Sequence, residues 1–182
     1  RNPANQVLGP GVGLTNMNQY TPMLAPLWDD LQLSVWNPAE QTVDDFGQAW
    51  YYRDPSGNKL VIYFINLTPR GTKITPFGNV TFPADVRPGV PNTPFVACDL
   101  QVVINRLDSS ITFIYPRFTG VVQVAGRPVT AEVLFWYNST IGVRGFARHI
   151  NFDSKTNTSG ALTPYLQYTM FSHQGNPPTV YT

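Results

Sequence analysis

Two pairs of adjacent carboxylates, Asp29 with Asp30 and Asp44 with Asp45, stand fifteen residues apart in the chain. A calcium ion takes roughly six to eight oxygen ligands, so two such pairs meeting at a sheet edge could cage one with the help of backbone carbonyls. No EF-hand or repeat spacing accompanies them, and adjacent carboxylates are common in turns. The expectation is therefore no cofactor, with calcium the one ion these aspartates could hold. Glycoside hydrolysis would need two carboxyls flanking the bond, one of them with a raised pKa. The only glutamates are Glu40 and Glu132, and neither stands in a pattern that would raise its pKa. Ser154, His149 and Asp153 contain the residue types of a hydrolytic triad, but no nucleophile elbow or oxyanion loop surrounds them. Cys98 is the sole cysteine, which excludes an internal disulfide, and only His149 and His173 could activate it as a nucleophile. A buried, small apolar role is the expectation for it. These absences together predict a protein that is not an enzyme.

Binding chemistry has better candidates. Trp36, Trp50, Tyr51 and Tyr52 could stack on the apolar face of a sugar ring. Aromatics on strands more often pack in a core, and that is the expectation for all but Trp36, which stands beside Asn37 and Pro38. Asn66, Asn79, Asn138 and Asn157 each open a glycosylation sequon, a mild excess over chance that points toward secretion. Pro69 directly follows the first of these and disfavours its modification.

Such residues need elements to hold them, and the chain reads as strands. Gln48 to Arg53 and Lys59 to Asn66 flank Asp54-Pro55-Ser56-Gly57-Asn58, where Pro presets φ and Gly permits the positive value a turn requires. The second of these strands is apolar on both faces, as suits a central position in a sheet. Leu100 to Asn105 and Ile111 to Tyr115 form a second hairpin. Val129, Ala131, Val133, Phe135 and Tyr137 alternate with Thr130 and Glu132, which predicts a strand over 129–137 with Glu132 facing outward. Further strands are expected from Leu31 to Val35, around Ile141 to Ala147, and from Tyr165 to Phe171. Six prolines between Leu67 and Pro94 predict a long loop there, with one short edge strand from Asn79 to Phe82. About nine strands without an amphipathic helix predict an all-β protein, an antiparallel β-sandwich, with a jelly roll as the competing topology. Residues 1–19 read as an extended arm, 20–175 as the domain with the Pro-rich insertion 67–94, and 176–182 as a tail.

Composition limits the partners. Charged residues make up only 13% of the 182 residues, and the net charge of +1 comes from basic residues scattered between Arg1 and Lys155. That distribution offers no footprint for a nucleic acid. No run of apolar residues is long enough for a membrane-spanning helix. Low charge and polar, extended termini favour contacts with other proteins or with copies of the same chain, for instance by adding the arm as a strand to another subunit's sheet edge. A viral coat protein would share the arm and the Pro, Thr and Asn content, but Arg1 is the arm's only basic residue.

The run Leu24-Ala25-Pro26-Leu27-Trp28-Asp29-Asp30-Leu31 resembles the opening motif of nidogen-like (NIDO) domains and related β modules of bacterial surface proteins. The order of later features is similar to theirs over residues 20–172. An aromatic strand (Ala49 to Arg53) precedes an apolar one (Lys59 to Phe64), followed by a strand-turn-strand unit (Leu100 to Tyr115) and a late Ile141-Gly142 pair. The Pro-rich segment 67–94 and the strand centred on Val133 stand out as insertions. The resemblance implies an extracellular or cell-surface adhesion or matrix role and supplies no catalytic residues.

Overall fold

A computed structural model describes residues 23–37, 40–82, 95–144, 155–156, 166–171 and 180–181. The arm 1–19 and most of the tail 176–182 lie outside the described residues, as do Asn157, His149, Asp153 and Ser154. Antiparallel strands dominate the described chain, as the alternation predicted.

The described chain opens with β1 (Met23–Trp28), β2 (Leu31–Gln32) and a short hairpin of β3 (Ser34–Asn37) and β4 (Thr42–Asp45). β5 (Gln48–Arg53) and β6 (Lys59–Pro69) then pair across the Asp54 to Asn58 turn. Asp54 organises that turn by accepting from the Lys59 backbone N–H at 2.7 Å and from the Ser56 hydroxyl. The expected proline-rich loop is in part a hairpin of β7 (Gly71–Thr75) and β8 (Gly78–Phe82). Its prolines fall at element ends: Pro69 closes β6 and Pro76 lies in the β7–β8 turn, where a missing N–H costs no ladder bond. The side-chain pattern of β7 runs against polarity, with Lys73 and Thr75 buried while Thr72 and Ile74 face outward.

β9 (Ala97–Asn105) and β10 (Ser110–Thr119) form the second predicted hairpin and extend beyond it. β11 (Val121–Val124) and β12 (Arg127–Thr130) turn tightly through Ala125 and Gly126, with φ of 51° and 75°. Two successive positive φ values match the two-residue hairpin turn whose twist suits the flanking strands. The predicted strand over 129–137 is corrected by the structure: β12 ends at Thr130 and α1 (Ala131–Asn138) follows. Nearly every residue from Ala131 to Tyr137 is apolar, so a period of two and one of 3.6 fit the sequence equally well. Burial decides between them: Ala131, Leu134, Phe135 and Asn138 are the buried set, spaced i, i+3, i+4, i+7. Glu132, expected on an outward strand face, sits half-buried in the first helical turn, where its charge complements the helix dipole. β13 (Thr140–Arg144), β14 (Lys155–Thr156), β15 (Leu166–Phe171) and β16 (Val180–Tyr181) complete the described elements.

The largest sheet runs β16-β15-β10-β9-β6-β2, with β5 also pairing β6. β6 is thus central, as its two apolar faces predicted. β1 pairs β13, which pairs β14, in a separate sheet. Register places Ile62, Val102 and Phe113 side by side on one face of the large sheet, along with Phe64 and Leu100. That face meets Leu27 of β1, Phe82 of β8, Val122 of β11, Leu134 and Phe135 of α1, and Ile141 of β13 in one buried cluster. Burying a side chain such as Phe135 in this way contributes about 2–3 kcal/mol.

Candidate functional site

Among the described residues, the covering layer stops short of the sheet's edge. β5 pairs only with β6 among the described residues, and all six of its residues are exposed. Trp50, Tyr51 and Tyr52 are 59%, 80% and 58% exposed, which corrects their expected place in the core. Gly47 lets this strand approach closely, since a Cβ there would lie 2.7 Å from the Ile65 carbonyl oxygen. Cross-strand register sorts the aromatics by face. Tyr51 stands opposite Ile62, and Ala49 opposite Phe64, on the face that carries the core. Trp50 and Tyr52 stand opposite Tyr63 and Val61 on the other face, and the Trp50 indole N–H donates to Gln48 Oε1 at 3.0 Å.

The core face therefore continues, uncovered by the described residues, into an apolar groove of about 630 Å³ lined by Ala49, Trp50, Tyr51, Arg53, Leu60, Ile62 and Phe64. A sheet edge offers unpaired N–H and C=O groups to any extended strand, and the groove offers apolar area beside them. Trp36 belongs to β3, apart from this edge, and its side chain is not among those described. The expected aromatic platform is thus split between two faces and two hairpins.

The paired aspartates also separate. Asp29 turns inward onto the ammonium of Lys73, while Asp30 and Asp45 are exposed and the Asp44 side chain is not among those described. Burial pushes the Asp29 carboxyl pKa up, against the opposing effects of Lys73 and of the Asp30 backbone N–H. No three of His, Cys, Asp and Glu gather as metal ligands among the described residues. Cys98 is buried, as expected, and burial first, then the charges of Asp99 and Asp29, raise its thiol pKa well above the usual value. A thiol held protonated in the core is not a nucleophile.

The sequons divide as well. Asn79 is exposed on β8. Asn66 is a backbone device: it holds φ at 55° in a bulge between β6 and β9, donating its N–H to Asp99 and its amide to the Phe46 carbonyl. Arg117 completes this cluster with two bonds to Asp99, at 2.8 and 3.0 Å, and one to Asn66 Oδ1 at 2.7 Å. Asn138 is buried, and its carboxamide is fully engaged with Ile74 and Leu134. A glycan on Asn138 is incompatible with that packing, which corrects its reading as an acceptor. Neither cluster announced itself in sequence, because Asp99, Arg117 and Lys73 look there like isolated charges.

Comparison of the chain with family models, with curated proteins and with solved structures gives no match.

Proposed function

We propose that this chain is a non-enzymatic, extracellular or cell-surface module that makes protein–protein contacts through the edge strand β5, in the first instance with a second copy of itself. The observation that carries this reading is an edge strand exposed on every residue and bearing Trp50, Tyr51 and Tyr52. Edge strands are ordinarily guarded by Lys, Pro or a bulge. β5 reads Gln-Ala-Trp-Tyr-Tyr-Arg, with no such guard and continuous pairing to β6. Weak net charge leaves little repulsion between copies. An extended segment docking there gains main-chain hydrogen bonds while its alternate side chains enter the apolar groove. The resemblance to NIDO domains and the exposed Asn79 sequon support the extracellular setting, with a sandwich as the architecture that such modules would share.

Sedimentation of the full chain over a wide concentration range tests the reading against Tyr51→Lys, which places a charge in the groove. Association that is present in the native chain and lost in the variant is expected. A monomer at every concentration removes self-assembly, and binding to a different protein, if abolished by the same substitution, keeps the edge as the interface.

A second reading rests on Trp50 and Tyr52. They share one face two residues apart, about 7 Å along the strand, a spacing on which consecutive sugar rings could stack. A glycan array probed with the native chain and Trp50→Ala discriminates it, since protein self-pairing predicts no glycan signal at all.

A further inference from the structure

The inversion of β7 sends the Lys73 side chain into the interior, where it meets Asp29 just beyond the end of β1. Both side chains are 1% exposed. The backbone around them is anchored: Arg70 N–H donates to the Asp30 carbonyl at 2.9 Å, and β2 pairs with the end of β6. Lys73 Nζ donates to Asp29 Oδ1 and, at 3.3 Å, to the Asp30 carbonyl oxygen. The Asp30 backbone N–H donates to the same Oδ1 at 2.7 Å. Asp29 Oδ2, in contrast, is buried with no hydrogen-bond partner. An ion pair in such a place is costly to desolvate, and an orphaned carboxylate oxygen adds to that cost.

We infer that Lys73 and Asp29 condense to a covalent amide, an intramolecular isopeptide bond between Nζ and Cγ. Nothing in the edge-strand reading is needed for this. The step balances without a co-reactant. One proton passes from the Lys73 ammonium to Asp29 Oδ1, the oxygen it already contacts, giving a neutral amine and a neutral acid. The nitrogen lone pair attacks Cγ, and negative charge develops on Oδ2. A second proton then moves from nitrogen to Oδ1. The Cγ–Oδ1 bond breaks and Oδ1 leaves as water. The third hydrogen stays on nitrogen as the amide N–H, facing the Asp30 carbonyl. Exclusion of water favours each stage: it raises the carboxyl pKa toward the neutral form, holds amine and acid in contact, and opposes the reverse hydrolysis. The product replaces two buried charges with one neutral amide, and it ties the β1–β2 connection to β7 across a separation of 44 residues.

Mass spectrometry of the full chain tests this directly. The denatured protein is expected to weigh one water less than its sequence requires. After trypsin, the bond following Lys73 should stay uncut, because the ammonium that the protease recognises has been consumed, and the peptide carrying Asp29 should be joined to the one carrying Lys73. Lys73→Arg keeps the positive charge but presents a guanidinium, a far poorer nucleophile, and should restore the full mass. A native chain at full mass overturns the inference. So does a water deficit accompanied by a free peptide ending at Lys73, which would place the dehydration elsewhere, or a deficit that persists in Lys73→Arg.

Discussion

Replacing Asn138 should weaken the fold far more than its small polar side chain would imply. Its Oδ1 accepts from the Ile74 backbone N–H at 2.8 Å, and its Nδ2 donates to the carbonyl oxygens of Ile74 at 2.9 Å and Leu134 at 2.8 Å. The side chain therefore closes the last turn of α1, where carbonyls lack partners, and holds β7 against the helix as a neighbouring strand would. Asn138→Leu preserves volume but deletes three hydrogen bonds at about 1 kcal/mol each, for a loss of roughly 3 kcal/mol. A domain's total stability is about 5–15 kcal/mol, so this is a large fraction of it. Urea unfolding followed by tryptophan fluorescence should show the midpoint falling by roughly 1–2 M with an unchanged slope. Asn138→Asp keeps the shape but sets a carboxylate against two carbonyl oxygens. Its folded-state pKa should rise, so the penalty should be full at neutral pH and shrink as the pH falls toward the ordinary carboxylate range. If both variants unfold within about 0.5 kcal/mol of the native chain, the bridge between α1 and β7 contributes nothing and the reasoning fails.

Other outcomes follow from the same structure. Arg117→Ala should cost about 2 kcal/mol, discounted for the half-exposed guanidinium, because it strips two bonds from the buried Asp99; Arg117→Lys should recover little of this, lacking the two-pronged geometry, and thermal melts of the pair decide it. Cys98 should resist a thiol reagent in the folded chain and react fully in urea, and rapid labelling of the native protein would contradict its burial. Hydrogen bonds from Ser56 and from the Lys59 N–H hold the Asp54 carboxyl below its usual pKa, so its contribution to the β5–β6 turn should be present above the ordinary value of 3.8 and fade as pH falls below it. Amide exchange at Lys59 across that range measures this, and Asp54→Asn should flatten the dependence.

Much of this architecture is dictated locally. The Asp54 to Asn58 turn, the paired apolar segments of β6, β9 and β10, and the burial of Cys98 follow from side-chain period and turn chemistry, which act over a few residues and so are legible in the chain itself. What tertiary structure alone decided are the places where local preference is balanced or overruled. From Ala131 to Tyr137 nearly every residue is apolar, so helix and strand patterns coincide and only the surface that the segment packs against selects α1. Lys73 points inward against its polarity because Asp29 awaits it there, and Thr75 because its hydroxyl is taken up by the Gly78 carbonyl and the Phe77 N–H. Conversely, Trp50, Tyr51 and Tyr52 stay in the open because none of the described elements covers β5, and an aromatic residue carries no mark of where its neighbours stop. Burial is a property of the whole fold, and it is burial that makes an interior pair of Lys73 and Asp29, and an exposed edge of β5, out of residues whose types alone say the opposite.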